Sequence, residues 1–353
     1  MLAAVIGLVA LPAVSVAAPA DVTVQRIFGA DRYETSAAIA QVTFGTSTTP
    51  VGHAVIANGR DFADAAVGAN LFGVFGAGPV LLTRAHDVPQ PIADVIRQLP
   101  VHRFFIVGAT DVVDLTVESR LQTLGEANGT AGDISRFSGS DRYATGAAVA
   151  RTAFDGEANW PGLVDGLRTA FLVSGVGGAD ALAAAPLTYA ATIPLLLTQP
   201  DVLSVPTGNA LLTITGGNRA IQQVIVIGGP GAVSPAVLTQ IKALGLSVRR
   251  IAGINRQATA VAVANFAVLT LGWNPAHINL ARGDDYADAI SAAPHAGEEL
   301  GPLLFTLSPD KLGTATADFL RAHAGVTKSI DVFGGPGAVS EAVVAEARIA
   351  AGG

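Results

Sequence analysis

One ten-residue pattern occurs three times along this chain. Arg26-Ile-Phe-Gly-Ala-Asp-Arg-Tyr-Glu-Thr35 returns as Arg136-Phe-Ser-Gly-Ser-Asp-Arg-Tyr-Ala-Thr145 and as Arg250-Ile-Ala-Gly-Ile-Asn-Arg-Gln-Ala-Thr259. Later landmarks recur in the same order. Phe62-Ala-Asp-Ala65 is answered by Gly178-Ala-Asp-Ala181 and Tyr286-Ala-Asp-Ala289. Gly78-Pro-Val-Leu-Leu-Thr83 is answered by Ile193-Pro-Leu-Leu-Leu-Thr198 and Gly301-Pro-Leu-Leu-Phe-Thr306. Ile106-Val-Gly-Ala-Thr-Asp-Val-Val113 is answered by Ile227-Gly-Gly-Pro-Gly-Ala-Val-Ser234 and Phe333-Gly-Gly-Pro-Gly-Ala-Val-Ser340. Four ordered landmarks in triplicate are no accident, and they oblige the chain to build one unit three times.

Each copy reads as alternating strands and helices. A short strand ends at the Arg-x-x-Gly element, and a helix follows, at Arg32–Val42 in the first copy. Next come a strand (Ala54–Ala57, Ala170–Ser174, Ile278–Ala281) and an Ala-rich helix opening at Ala-Asp-Ala. The Pro-Leu-Leu strand leads to a helix such as Pro91–Leu99 or Lys311–Ala322. A fourth strand (Phe104–Val107, Val224–Ile227, Ile330–Phe333) runs into a last helix. Apolar runs of this length, alternating with helices, predict an α/β fold of three tandem small units with mostly parallel sheets. Loops are expected at Gly125–Gly132 and Leu244–Ser247, and the largest insertion at Phe154–Leu167. The expected organisation is a leader at 1–20 and repeats at 21–130, 131–246 and 247–353.

Composition fits a buried parallel sheet. Charged residues make up 14% of the 353, against about 25% in ordinary soluble proteins. Half of the chain is hydrophobic, 6% is aromatic, and mean hydropathy is +0.48. Such a chain is not intrinsically disordered. The apolar stretch Leu2–Ala18, followed by Pro19-Ala20-Asp21, is too short for a membrane span. Its small-x-small ends read as a cleavable secretory signal, although no basic residue follows Met1. The absence of cysteine excludes disulfides, zinc thiolates and a thiol nucleophile. A net charge of −7 argues against nucleic acid or an anionic membrane surface as a general partner.

The recurring polar residues have structural and functional readings. Asp31, Asp141 and Asn255 precede helical runs and read as N-caps, with Glu34 completing a capping box. Arg32, Arg142 and Arg256 recur beside Asp64, Asp180 and Asp288, which suggests an ion pair within each repeat. The alternative is that each Arg faces an anionic ligand at a helix N-terminus. Arg26, Arg136 and Arg250 stand at a strand edge. Gly228-Gly-Pro-Gly-Ala-Val-Ser234 resembles a phosphate cradle, but it lacks the Lys and the glycine spacing. It reads better as a tight turn into a helix capped by Ser234, with Pro235 at the first position. Asp284, Asp285 and Asp288 form an acidic cluster that the other copies do not match. No metal site common to the copies, no cofactor motif and no catalytic constellation is expected, since the six histidines fall at no repeated position.

The ordered set Arg-x-x-Gly-x-Asp-Arg-Tyr-x-Thr, Ala-Asp-Ala, Pro-Leu-Leu-Leu-Thr and Ile-Gly-Gly-x-x-Ala-Val-Ser resembles the bacterial cell wall binding repeat 2 family. The likeness covers about residues 26–350 and fits the second copy best. Copy one departs at Gly108-Ala-Thr-Asp111, and copy three at Asn255 and Gln257. The resemblance implies three α/β units packed with pseudo-threefold symmetry in one non-catalytic module. It further implies secretion and non-covalent anchoring to an anionic cell-wall polymer, with surface-layer-associated proteins as neighbours and no membrane contact after signal cleavage. By matching positions, ligand binding falls to Arg32, Arg142 and Arg256. Arg26, Arg136 and Arg250 join them, with Pro79, Pro194 and Pro302 marking the neighbouring strand. Two other readings stay open. One is an α/β enzyme acting on a nucleotide or sugar phosphate at strand carboxyl ends. The other is a structural subunit of a surface layer.

Overall fold

The computed structural model describes residues 21–46, 51–129, 132–154, 162–214 and 220–353. The proposed leader at 1–20 and half of the insertion at 154–167 lie outside them. The first repeat runs β1 (Thr23–Ile27), helix Arg32–Phe44, β2 (His53–Asn58), helix Phe62–Gly68, β3 (Val80–Thr83), helix Gln90–Gln98, β4 (Arg103–Val107) and helix Leu115–Ala127. The second runs β5 (Asp133–Phe137), helix Arg142–Phe154, β6 (Leu163–Val164), β7 (Leu167–Ser174), helix Ala179–Ala191, β8 (Leu195–Thr198), helix Val205–Thr213, β9 (Gln223–Ile227) and helix Pro235–Ala243. The third runs β10 (Ser247–Ile251), helix Arg256–Thr270, β11 (His277–Arg282), helix Ala287–Glu298, β12 (Leu303–Thr306), helix Thr314–Ala322, β13 (Ser329–Phe333) and helix Glu341–Ala350.

The expected elements are present, with two informative shifts. The helix expected from Lys311 starts at Thr314, because Gly313 has φ +85 and Lys311 bridges back to Ser308. Gly125, expected in a linker, lies inside a helix and packs against Phe104 and Gly132, where a Cβ would clash.

Strand pairing does not respect the sequence repeats. The sheets are ordered β3-β2-β4-β5, β8-β7-β9-β10 and β12-β11-β13-β1. The first strand of each repeat therefore completes the sheet of the repeat before it, and β1 closes the circle by pairing with β13. All these pairings are parallel; the two-residue β6 is antiparallel to β7. Strands buried on both faces, such as Ala54–Ala57 and Val224–Ile227, account for the continuous apolar runs and much of the high hydropathy.

The Ala-rich inner helices face the centre of the molecule. Ala69, Ala185 and Ala293 occupy the same place in their repeats and form a buried cluster of their own. A side chain of one methyl group lets three helices converge at an approximate threefold axis. At one end of that axis the rings of Phe62 and Tyr286 pack 5.1 Å apart. The third equivalent position is Gly178, where a Cβ would press on both rings. Polar contacts cross between repeats: buried Asn70 bonds both the N–H and the carbonyl of Leu195, and the Tyr189 hydroxyl donates to Glu298 at 2.6 Å.

Candidate functional site

Parallel strands put all their carboxyl ends, and the N-termini of the helices that follow, on one side of each sheet. Strand exchange brings three segments together there at every junction. These are the Gly turn after β4, β9 or β13, the inner-helix Asp of the same repeat, and the first helix of the next repeat.

Arg26, Arg136 and Arg250 fasten the junctions. Arg136 donates to the carbonyls of Gly108 (2.9 Å) and Val113 (2.8 Å) and pairs with Glu118 at 2.7 Å. Arg250 donates to the carbonyls of Gly228 and, at 2.6 Å, Val233. Arg26 donates to the Gly334 carbonyl at 2.8 Å and pairs with Glu341 at 3.0 Å. These guanidiniums hold the turn of one repeat onto the first strand of the next and are half-buried, so their strand-edge position does not free them for solvent.

Arg32, Arg142 and Arg256 open the first helices. Each uses Nη1 to bond the glycine carbonyl just beyond β2, β7 or β11 of its own repeat. The distances are 2.5 Å to Gly59, 2.8 Å to Gly175 and 3.1 Å to Gly283. The helices start on side-chain caps, as expected. Asp31 accepts from the N–H groups of Tyr33 and Glu34, Asp141 from Ala144, and Asn255 from Ala258. Glu34 reaches back to the N–H of Ala30. Ser234 holds the cap position ahead of Pro235, but its hydroxyl makes no capping bond.

Asp64, Asp180 and Asp288 are largely buried under the glycine turns. A Cβ at Gly108, Gly228 or Gly334 would lie 2.9, 2.4 or 2.5 Å from the respective carboxylate Oδ2. Those glycines have φ of +121, +119 and +106, which leaves this approach to a residue without a side chain. Burial pushes all three carboxyls up to about 6. Nearby Asp61 adds to the effect at Asp64, and Asp285 at Asp288. The opposing positive charge comes from Arg142 at Asp64, from Arg256 and Arg250 at Asp180, and from Arg282 and Arg32 at Asp288.

The persistent Arg and Asp thus do not pair within a repeat; Arg32, Arg142 and Arg256 face the Asp of the preceding one. The reason is strand exchange, which lays the next repeat's first helix beside the inner helix. Among the described ion pairs, Arg142 does cross a junction, to Asp61 at 3.5 Å.

Among the described residues, two of the junctions line grooves. The groove between repeats one and two, about 600 Å³, is lined by Asp61, Asp64, Asp111, Asp141 and Arg142, with glycine backbone between them. The groove between repeats two and three, about 610 Å³, is lined by Asp180, Asp284, Asn255, Arg256, Pro230 and Tyr286. Asp284 is committed to Arg282 through two bonds of 2.8 and 2.9 Å, so the acidic cluster of the third copy is partly neutralised in place. Pro79, Pro194 and Pro302 do not belong to these grooves. They are buried at the amino ends of β3, β8 and β12, where their carbonyls accept from Val55, Phe171 and Asn279. The groove acid Asp111 carries no repeated sequence signal, whereas Asp61 and the axial Phe62 recur as Asp285 and Tyr286 in copy three and give way to Gly177 and Gly178 in copy two.

Residues 26–118, 136–238 and 250–344 match the family model described as cell wall binding domain 2. The chain is 35% identical over 210 residues to N-acetylmuramoyl-L-alanine amidase LytC of Bacillus subtilis (strain 168), covering 60% of this chain and 38% of that protein. It is 26% identical over 321 residues to the amidase enhancer of the same organism, covering 90% of this chain and 39% of the enhancer. The chain therefore spans about two-fifths of the length of these relatives. Its fold resembles Cwp6 from Clostridium difficile (TM-score 0.77, 20% identity, 94% of this chain and 48% of that one) and Cwp8 (0.75, 21%, 94% and 52%).

Proposed function

The chain belongs to the cell wall binding domain 2 family, and we propose that its three repeats hold an anionic wall polymer in the inter-repeat grooves. The observation that carries this reading is the guanidinium of Arg32, Arg142 and Arg256. Each is oriented by a glycine carbonyl at a helix N-terminus, beside a junction. Such a fork at the positive end of a helix suits phosphate or carboxylate.

The junctions are not equal. The first groove sets four aspartates around Arg142, whereas the second sets Arg256 beside a neutral Asn255 cap, with Asp284 already paired. Arg256 is accordingly the principal anion contact and Arg142 a weaker one. Several weak sites on one rigid body add by multivalency along a repeating polymer. In this reading the role is adhesive rather than catalytic, and the chain acts after export. No helix among the described residues is long and apolar enough to cross a membrane.

Co-sedimentation with purified walls tests the reading. Retention of the parent chain and release of the Arg142→Ala/Arg256→Ala double variant support it. Equal retention of both sinks the groove assignment.

A further inference from the structure

The junction that closes the ring carries a polar cluster that the other two lack. His295 and Glu299 lie at the end of the inner helix of repeat three, Asp331 is on β13, and Thr43 is on the first helix of repeat one. The equivalent positions elsewhere are apolar: Leu71 and Leu187 for His295, Phe105 and Ile225 for Asp331, Ala153 and Ala267 for Thr43, Phe75 and Ala191 for Glu299. His295 and Asp331 are buried, 4% and 8% exposed. Burying such groups is costly unless each is satisfied.

The hydrogen bonds fix how the imidazole is used. The Thr43 hydroxyl donates its one proton to the Ile39 carbonyl at 2.7 Å. It must therefore accept from His295 Nδ1–H, 2.8 Å away. That leaves Nε2 directed at two carboxylates, 2.9 Å from Asp331 Oδ2 and 3.5 Å from Glu299 Oε2. A lone pair does not rest against a carboxylate oxygen at that distance without something positive shared between them.

We propose that His295 Nε2, Asp331 and Glu299 bind a divalent transition-metal cation of the zinc class, clamping repeat three to repeat one where β1 completes the ring. The three ligand atoms lie within 4.8 Å of one another. In a tetrahedral zinc site, ligand bonds of about 2.0–2.1 Å put neighbouring donors about 3.3 Å apart, between the two distances observed. One nitrogen with two carboxylate oxygens suits zinc better than calcium or magnesium. Thr43 plays the orienting role usual for the distal N–H of a metal-bound histidine. Glu299 is the exposed member and leaves the fourth position to water.

Zinc titration of the chelator-treated chain by calorimetry, with melting followed in parallel, tests this. One zinc per chain and a raised melting temperature are expected. Glu299→Gln, at an exposed site that leaves the fold intact, weakens binding at least about tenfold, and Thr43→Val weakens it roughly 10- to 100-fold. No saturable uptake overturns the proposal and leaves a shared proton as the link. Uptake unchanged in both variants overturns it as well, by placing the metal elsewhere.

Discussion

Arg142 Nη2 lies 3.5 Å from Asp61 Oδ2, and the two residues belong to different repeats. This contact arises because β5 completes the first sheet and carries the helix of repeat two over the inner helix of repeat one. It also occupies Arg142 with a neighbouring carboxylate, as Asp284 does not do to Arg256. Replacing each arginine by alanine is therefore expected to separate them. Arg256→Ala should weaken wall binding on the order of tenfold, the worth of one charge-assisted contact, and Arg142→Ala clearly less. Binding isotherms on purified walls, with circular dichroism as a fold control, make the comparison. A larger loss for Arg142→Ala contradicts the ranking of the grooves.

The three inner aspartates set a pH dependence. Their carboxyls stand at about 6 in the folded chain, above the ordinary unfolded value of about 3.9. The folded state thus holds these protons more tightly. The stability they add is fully present below about pH 4 and is lost as pH rises through about 6, on the order of 2–3 kcal/mol for each. Asp114 and Asp284 act in the opposite sense at lower pH, because His86 and Arg282 hold their carboxyls down. A variant isolates the effect. Asp64→Asn should melt above the parent at neutral pH and level with it near pH 4. An Asp64→Asn variant less stable at neutral pH contradicts the burial penalty.

Gly228 is tied to Asp180 by contact as well as by conformation. Gly228→Ala forces φ +119 on a side-chain residue and places its Cβ 2.4 Å from the carboxylate. Strain of about 1–2 kcal/mol from the backbone alone, plus the clash, should lower the melting temperature by several degrees. Gly231→Ala, where a Cβ meets nothing within 4 Å, should leave it unchanged. Equal melting of the two variants contradicts the account of the turn.

Removal of residues 21–27 tests ring closure. β1 contributes the buried Ile27 and pairs along β13 from Thr23↔Ser329 to Ile27↔Phe333, and Val22 just before it is also buried. Losing two core side chains costs roughly 3–6 kcal/mol, and it bares the edge of β13. Lower stability and new oligomers on size-exclusion chromatography are expected, since an open edge recruits another chain. An unchanged monomeric melt contradicts the circular arrangement.

Much of this architecture could be read from the chain. The caps Asp31, Asp141 and Asn255 and the buried Pro-Leu-Leu strands follow from local chemistry and apolar run length. What escaped was whatever depends on which sheet a strand joins. A repeat boundary says that β5 begins copy two, but not that it pairs with β4. From that followed the assignment of the Arg–Asp relation to one repeat rather than to a junction. Pro79, Pro194 and Pro302 recur because they open buried strands, and recurrence alone does not tell a strand start from a binding site. The His295 cluster was legible in principle, since His295, Asp331 and Thr43 interrupt positions that are apolar in the other copies.

Sedimentation of the purified chain with bacterial walls, before and after extraction of their anionic polymers, decides whether the grooves hold such a polymer. Binding to intact walls, its loss after extraction, and competition by the extracted polymer that Arg256→Ala weakens are expected. Undiminished binding to extracted walls would contradict the groove assignment.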